Sequence, residues 1–309
     1  MKPFRKNVAL AIDGGGIRGV IVTRALAILE KQLGKPCRDI FGLTAGTSTG
    51  SIVSAAIGAG LTGAQMTQLY QDLGDNIFKK TLRSRLWLIT KCRYPHEPLE
   101  SALRQHIGDL KMGDFWTAKP PIDVLITCFD LDENRTRFIK PWKPEYAGWP
   151  AVKAVLASSS VPTFFPAVEG RFVDGGVGSY ANPCYPTAYE LTFCLGWDPA
   201  ETTLISLGTG VSKHEFDPRR ADSMWPWDWL GPVMGAFLKS ADDEQVHLVD
   251  ALFPDLDFRR FQVQMTEEIG MDQPEQMSKL LKYGDELGRK ILNDEMETPP
   301  DFRTPRSTP

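Results

Sequence analysis

A serine between two glycines and a glycine-rich run upstream of it are the features of this chain with the most evident chemical use. Ser48 lies in the pattern Gly-x-Ser-x-Gly, between Gly46 and Gly50. About thirty residues earlier, Asp13–Gly19 reads Asp-Gly-Gly-Gly-Ile-Arg-Gly. A tight glycine turn can aim a serine hydroxyl outward, and a glycine-rich loop can present backbone N–H groups to a negative charge. Together the two segments predict an acyl-transfer site with a nucleophile elbow and an oxyanion hole.

The elements expected on either side of Ser48 suit such an elbow. Leu43–Ala45 is a short apolar run that predicts a strand, and Ser51–Ala59 is rich in small and aliphatic residues that predict a helix. A nucleophile elbow needs a strand, a tight turn and a helix in this order. The helix N-terminus also favours developing negative charge.

The glycine run lies between another predicted strand, Val8–Ile12, and a predicted helix, Val20–Gln32. Its backbone can approach a ligand closely because three consecutive residues have no side chain. We therefore expect the N–H groups of Gly15 and Gly16, together with Gly14, to form the oxyanion hole.

The same loop also satisfies the dinucleotide-binding fingerprint Gly14-x-Gly16-x-x-Gly19, with Asp39 about twenty residues further on. In a dinucleotide-binding fold the acidic residue closes the second strand, whereas Asp39 precedes Leu43–Ala45. Arg18 lies inside the loop, where a cation suits a single anionic group better than a cofactor. A dinucleotide-binding module stays an alternative.

A nucleophilic serine needs a partner that removes its proton, and histidine is the usual one. His96 falls in a predicted surface turn, His106 is expected to be half-exposed on a helix, and His247 lies in a helix-like segment. Only His214 is near a strand end. A Ser-His-Asp esterase that uses His214 is therefore a second alternative.

Asp174 is the stronger candidate for the base. Arg171–Val173 predicts a short strand that places the carboxylate at its end, and Gly175 and Gly176 let another element approach closely. An aspartate in water has a pKa near ~3.9, and burial beside an apolar pocket would raise that pKa and make it a better base. Read alone, Asp-Gly-Gly also fits a hairpin turn.

The three motifs in this order resemble the patatin-like phospholipase family, whose lipid acyl hydrolases use a Ser-Asp dyad. The family pattern is D-G-G-G-x-R-G, then G-x-S-x-G, then D-G-G or D-G-A. The matching segments here are Asp13–Gly19, Gly46–Gly50 and Asp174–Gly176. Ala157–Pro166 is similar to the family's small-residue helix and Pro-x-x-Phe-Pro turn, and Leu204–Gly210 to its later core strand and glycine turn.

The resemblance implies a phospholipase A-type carboxylic ester hydrolase that acts on phospholipids or related lipids through an acyl-Ser48 intermediate, with Asp174 as the base. It implies no cofactor and no metal. Arg18 would steady the loop or bind a substrate phosphate. One segment departs from the family pattern: Gly178–Ala181 comes before the Asn-Pro pair that starts at Asn182, so we expect the loop beside the dyad to differ.

Length and hydrophobic patterning predict one α/β domain. The 309 residues, 42% of them hydrophobic, can bury a single large core. Strand-like and helical runs alternate, which predicts a three-layer sandwich with a mostly parallel central sheet flanked by helices over residues 1–297. Residues 298–309 are proline-rich and are expected to form a flexible tail. The predicted strands are Val8–Ile12, Leu43–Ala45, Ile122–Phe129, Arg137–Ile139, Arg171–Val173, Thr203–Leu207 and Arg259–Gln264.

The five cysteines contain no C-x-x-C pattern, which favours a reducing compartment. The first apolar run is too short for a signal peptide, and no run is long enough to span a bilayer. We therefore expect a soluble cytoplasmic protein.

Two segments are candidates for contact with lipid, although the net charge of −4 gives no overall attraction to anionic surfaces. Lys79–Arg93 carries basic residues, a tryptophan and no acidic residue, which is typical of peripheral membrane contact. Met224–Leu238 is rich in tryptophan and predicts a lid or an acyl-pocket wall. No nucleic acid partner is expected, and no pattern indicates a particular oligomeric state.

Overall fold

The computed structural model describes residues 1–77, 91–212, 218–225, 228 and 230–298. The strands in these ranges are β1 (Asn7–Ile12), β2 (Leu43–Thr47), β3 (Asp123–Asp130), β4 (Arg135–Ile139), β5 (Phe172–Asp174), β6 (Thr202–Leu207), β7 (Val211–Ser212), β8 (Asp257–Phe261) and β9 (Gln264–Met265). The helices are α1 (Gly19–Leu33), α2 (Cys37–Ile40), α3 (Thr49–Gly58), α4 (Gly63–Asn76), α5 (Glu97–Ile107), α6 (Met112–Thr117), α7 (Pro144–Ala147), α8 (Ala151–Ser159), α9 (Cys184–Tyr189), α10 (Leu230–Leu252) and α11 (Met277–Asn293).

Seven of these strands form one mixed sheet in the order β4-β3-β2-β1-β6-β8, with β5 also paired to β3. The five strands from β3 to β8 in this order are mutually parallel, and β4 and β5 are antiparallel to β3. Parallel strands need both faces covered, which is why Val8–Ile12 of β1 reads as a continuous apolar run.

Helices cover both faces of the sheet. Large side chains of β1, such as Leu10 and Ile12, point into a core shared with α1, α3, α4, α8 and α11. The alternating residues Ala9 and Ala11 face a smaller core formed with α9 and α10. The predicted three-layer α/β sandwich with a mostly parallel sheet is therefore confirmed.

The predicted single strand Arg259–Gln264 is wrong. The chain forms β8, leaves the sheet at Gln262, and then forms β9, which pairs with β7. The cause lies in a side chain: Gln262 Oε1 accepts hydrogen bonds from the N–H groups of Gly210 and Val263, at 2.8 Å and 3.1 Å. These bonds replace the ladder that a continuous strand would form.

Some predicted features lie outside the described residues. They are His214, all of the predicted tail except Thr298, most of Lys79–Arg93, and Pro226, Trp227 and Trp229 of the tryptophan-rich segment, whose last residues belong to α10. In Lys79–Arg93, the last three residues are described, and there Arg93 Nη1 lies 3.1 Å from Asp272 Oδ2. No helix within the described ranges is both long and apolar enough to cross a membrane.

Candidate active site

Strand register brings Ser48 and Asp174 to the same place. β2 runs parallel to β3 as far as Thr47, which lies opposite Thr127. β5 runs antiparallel to β3 and ends with Asp174 opposite Cys128. Because Thr127 and Cys128 are consecutive, the carboxyl ends of β2 and β5 meet end to end beside β3. Ser48 directly follows β2, so the sheet directs both residues to one point.

The backbone at Ser48 has the strained geometry that an elbow requires. Its φ of 55° and ψ of −123° lie outside the regions that side chains favour. The two flanking glycines make the turn sterically possible. A Cβ on Gly46 would lie 2.1 Å from the carbonyl group of Gly50, and a Cβ on Gly50 would lie 2.2 Å from the carbonyl oxygen of Ile12.

Hydrogen bonds hold the elbow on both sides of the serine. The Ser48 N–H donates to Ser158 Oγ at 2.9 Å. The Ser48 carbonyl accepts from both the N–H and the hydroxyl of Ser51, at 2.9 Å and 2.6 Å. Ser48 is thus the N-cap residue of α3, as the strand–turn–helix prediction required, and its side chain is buried.

The Asp174 carboxylate is buried and only partly satisfied. Its Oδ1 accepts the N–H of Gly176 at 2.8 Å, whereas Oδ2 has no regular hydrogen-bond partner among the described residues. Burial raises the pKa of Asp174 to about 6, and the nearby Ser48 hydroxyl and the Gly176 amide oppose that rise. A Cβ on Gly175 would lie 2.3 Å from Thr127 Oγ1, so the expected close approach at this glycine is confirmed.

The end of α8 contacts both halves of the site. Besides the bond from Ser158 to the elbow, the Ser160 carbonyl accepts the Asp174 N–H at 3.0 Å. The Ser160 hydroxyl donates to the Leu156 carbonyl at 2.7 Å and lies 2.9 Å from His96 Nε2. Because that hydroxyl has a single proton, His96 Nε2 is the donor between them.

The prediction that His96 belongs to a surface turn is therefore wrong. The residue is half-buried at the start of α5, its ring stacks on Phe165 with centroids 5.8 Å apart, and burial lowers its pKa. Its partner Ser160 is 64 positions away in the chain. Local sequence held no signal for this contact, because Pro95 and Pro98 around it are typical of a turn.

The glycine loop packs closely against Ser48 and against distant parts of the chain. A Cβ on Gly14 would lie 3.2 Å from Ser48 Cβ. A Cβ on Gly15 would lie 2.2 Å from Thr209 Oγ1, and a Cβ on Gly16 would lie 2.4 Å from the carbonyl oxygen of Met271. Larger residues would therefore displace the loop from the serine.

The N–H groups of the three loop glycines have different surroundings. The Gly14 N–H donates to the Ala181 carbonyl at 2.8 Å. Within the described residues, the N–H groups of Gly15 and Gly16 have no hydrogen-bond acceptor. Ala181 belongs to the segment that departs from the family pattern, and that segment also contacts the elbow, because Thr47 Oγ1 donates to the Tyr180 carbonyl at 2.5 Å.

Arg18 contacts the loop from within. Its Nε and Nη1 donate to the carbonyls of Gly15 and Gly210, each at 3.3 Å. Burial lowers the pKa of the guanidinium, and the Asp13 carboxylate opposes that change. These contacts are those expected of a residue that supports the loop.

A mainly apolar pocket, partly open to solvent, is lined in part by Ser48. Tyr70 is one of its lining residues, and the tyrosine hydroxyl donates to the carbonyl of Thr49 at 2.9 Å. The other lining residues are Gly16, Ile17, Thr49, Ile52, Leu73, Ile77, Leu99, Ser159, Val161, Phe164, Phe165 and Met271.

Comparison with known proteins agrees with this geometry. The family model described as Patatin-like phospholipase matches residues 10–187, which include Ser48, Asp174 and the whole glycine loop. The chain belongs to the patatin-like phospholipase family. Patatin-like protein 2 of Oryza sativa subsp. indica is 27% identical over 94% of this chain and 85% of its own length.

Two other proteins match over a smaller share of their own length or at lower sequence identity. A cGAMP-activated phospholipase of Pseudomonas aeruginosa is 28% identical and covers 65% of this chain and 61% of its own length. The crystal structure of VipD from Legionella pneumophila superposes with a TM-score of 0.51 at 12% identity, over 94% of this chain and 67% of VipD. The last similarity concerns the fold alone.

The dinucleotide alternative lacks its acidic residue in this patatin-like fold. Asp39 lies in α2, ahead of β2, and β2 ends at the elbow and not at a carboxylate. Among the described residues, no group of three or more His, Cys, Asp or Glu side chains is arranged to hold a metal ion.

Proposed function

We propose that the protein is a serine lipid acyl hydrolase of the phospholipase A type, with Ser48 as nucleophile and Asp174 as general base. The observation that carries the proposal is the meeting of β2 and β5 beside β3, which brings a strained serine and a buried carboxylate together. Membership of the patatin-like phospholipase family and its phospholipase relatives support the lipid substrate.

In the proposed reaction, Asp174 accepts the hydroxyl proton of Ser48 while the serine oxygen attacks an ester carbonyl. The tetrahedral intermediate collapses to an acyl-serine, and the leaving alcohol takes the proton. Water then attacks the acyl-serine with Asp174 as base again and releases the fatty acid. The raised pKa of Asp174 suits this task, because a carboxylate with a pKa of about 6 is a better proton acceptor than one in water.

The N–H groups of Gly15 and Gly16 are the proposed oxyanion hole, since both lack an acceptor within the described residues and lie in the loop that packs on Ser48. Gly14 donates elsewhere, so we assign it the close approach to the serine. Losing one such donor typically lowers the rate by about 100-fold to 1,000-fold. Arg18 holds the loop through its two carbonyl contacts.

The pocket beside Ser48 is the proposed site for the acyl chain. Its walls are mainly aliphatic and aromatic, which favours a hydrocarbon chain over a polar headgroup. Leu73 and Ile77 line it together with Ser48, so larger side chains at those two positions should reduce the space for the acyl chain.

Lipid hydrolysis by variants tests the proposal. Phospholipid vesicles are incubated with wild type, Ser48→Ala or Asp174→Ala, and fatty acid and lysophospholipid products are measured by mass spectrometry. We expect both products with wild type and a loss of at least about 1,000-fold in each variant. Wild-type product yield from Ser48→Ala would contradict the proposal.

Ser54→Ala is a matched control for these variants. Ser54 is buried on the helix that follows the elbow, and its hydroxyl has no partner among the described residues. Its loss should leave hydrolysis unchanged, because it removes no contact of Ser48 or Asp174.

A further inference from the structure

A buried arginine lies behind the glycine loop and outside the stretch that the family model matches. Arg260 is on β8, and only 1% of its side chain is exposed. Its terminal nitrogens bind both carboxylate oxygens of Asp13, at 2.8 Å and 2.6 Å. Asp13 is the first residue of the glycine loop. This bidentate salt bridge therefore fixes the point at which the loop leaves β1.

Asp242 on α10 connects the same arginine to the segment that follows Asp174. Its Oδ1 accepts hydrogen bonds from Arg260 Nη2 at 3.2 Å and from Asn182 Nδ2 at 2.7 Å. The side-chain oxygen of Asn182 accepts the Cys184 N–H at 3.0 Å. One carboxylate thus joins β8, α10 and the segment that enters α9.

The position of Arg260 depends on a balance between its partners. Burial disfavours the charged guanidinium, but the carboxylates of Asp13 and Asp242 outweigh this effect and raise the pKa of Arg260 above its ordinary value. Ser206 Oγ accepts a further hydrogen bond at 2.9 Å, and Glu297 Oε2 lies 3.4 Å from Nε. A buried cation that loses one carboxylate is left undercompensated. Removal of Asp242 should therefore shift Arg260, and Asp13 with it.

We propose that Asp242 and Arg260 are positioning residues for the oxyanion hole, which they set by holding Asp13 and the loop that follows it. The inference rests on the proposed function, since an oxyanion hole has a role only if Ser48 forms a tetrahedral intermediate. Asp242 is not among the residues that line the pocket. Its loss reduces the stabilisation of the transition state and leaves the affinity for substrate unchanged.

Two neighbouring aspartates on α10 provide the test. Asp242→Ala removes the carboxylate that binds Arg260, whereas Asp243→Ala removes one that pairs with Lys239. With a short-chain nitrophenyl ester, Asp242→Ala should lower kcat by about tenfold to a hundredfold and change KM by less than about twofold. Asp243→Ala should match wild type in both constants, because surface ion pairs contribute little.

A trifluoromethyl ketone analogue of the ester supplies a second readout. Its carbonyl carbon bonds to the Ser48 oxygen, the hydroxyl proton passes to Asp174, and the ketone oxygen becomes an oxyanion in the hole. The inhibition constant for Asp242→Ala should rise by the same factor as kcat falls. A role limited to stability would leave the inhibition constant of the folded protein unchanged.

The conservative variant Asp242→Asn tests rescue. The amide keeps one oxygen that can accept from both Arg260 and Asn182 but loses the negative charge, so kcat should lie between the values of wild type and Asp242→Ala. A kcat for Asp242→Asn as low as that of Asp242→Ala would overturn positioning by this hydrogen-bonded oxygen.

Equal kcat values and equal inhibition constants in Asp242→Ala and Asp243→Ala would overturn the inference, as would a change confined to KM. If Asp242→Ala does not fold, Arg260→Lys replaces it, because lysine keeps the charge and loses the bidentate salt bridge. A wild-type kcat in Arg260→Lys would likewise overturn the inference. Ser48→Ala is assayed alongside: activity in it contradicts the proposed function, whereas an inactive Ser48→Ala beside a fully active Asp242→Ala contradicts only the positioning role.

Discussion

The two glycine turns that meet at the site are held in place by different parts of the chain. The elbow, Gly46–Gly50, is fixed by contacts within itself and with the first turn of α3, and it also bonds to the Ser158 hydroxyl and the Tyr180 carbonyl. The loop Asp13–Gly19 is fixed from far away: Thr209 bonds to it across 195 positions, and Arg260 across 247. Met271 packs against it from the far side.

This difference indicates how each turn responds to change. The strand before the elbow and the helix after it hold its backbone in place, so the elbow can keep a strained serine without moving. The glycine loop keeps its place only while its distant partners keep theirs. Apart from the nucleophile Ser48 itself, substitutions in the elbow should therefore act mainly on folding and strain, and substitutions around the loop should act mainly on the rate of the chemical step.

The largest expected effect comes from Gly46→Ala. Its new Cβ would lie 2.1 Å from the carbonyl group of Gly50. Neighbouring elements hold the backbone at both positions, so neither can move away from the clash. We expect a loss of more than about 4 kcal/mol in the free energy of unfolding, measured by denaturant titration. Gly148→Ala is the control, since its Cβ would meet nothing within 4 Å, and its stability should stay within about 1 kcal/mol of wild type. Equal stability of the two variants would contradict the account of the elbow.

Asp174→Asn should separate stability from activity. The pKa of Asp174 rises from about 3.8 unfolded to about 6 folded, so the wild type loses stability as the pH increases through this window. Above pH 6 the variant should be more stable than wild type by roughly 3 kcal/mol, and below about pH 4 the difference should vanish. Thermal unfolding at a series of pH values measures this, and a difference that does not depend on pH would contradict it. Wild-type hydrolysis should fall below about pH 6, because the protonated carboxyl cannot accept a proton.

Strain at the elbow is measured by two substitutions of the same serine. Both Ser48→Gly and Ser48→Ala remove the hydroxyl, but only glycine adopts a φ of 55° without steric cost. The glycine variant should be the more stable of the two by about 1 kcal/mol in chemical denaturation. Equal stabilities would mean that the elbow stores no strain.

Thr209→Val should give the smallest effect and act on the loop alone. The Thr209 hydroxyl donates to the Gly14 carbonyl at 2.7 Å, and valine keeps the shape but loses the bond. We expect a loss of about 1 kcal/mol, seen as roughly a fivefold lower kcat. Thr23→Val is the control, because the Thr23 hydroxyl donates to the Val20 carbonyl within α1 and accepts from Thr67 on α4, neither of which belongs to the glycine loop. Thr23→Val should lower stability by a similar amount and leave kcat unchanged. A lower kcat in Thr23→Val would show that the effect of Thr209→Val on kcat is not specific to the glycine loop.

Sequence could predict the elbow because its determinants are local. The apolar run before Ser48, the two glycines and the small-residue helix all lie within about seventeen residues, and each has a steric reason for its place. The layers of the fold could also be predicted from sequence, because alternate residues of β1 are large on one face and small on the other. Buried strands of this type follow from pattern alone.

Features that depend on pairing between distant segments could not be predicted from local pattern, and the pairing of Ser48 with Asp174 was expected only from the family resemblance. The meeting of Ser48 and Asp174 depends on both β2 and β5 using one edge of β3, which no local pattern states. His96 was misassigned because its partner Ser160 is remote, and the strand break at Gln262 follows from one side chain that bonds to another turn. In each case a tertiary hydrogen bond overrides the local preference.

Covalent labelling tests the central claim most directly. A fluorophosphonate reacts only with an activated serine, and peptide mass spectrometry locates the adduct. Wild type at pH 8 should carry one adduct, on Ser48, while Asp174→Asn should label at least about a hundredfold more slowly and Ser48→Ala should not label. Folded wild type that stays unlabelled, or an adduct that persists in Ser48→Ala, would contradict the account.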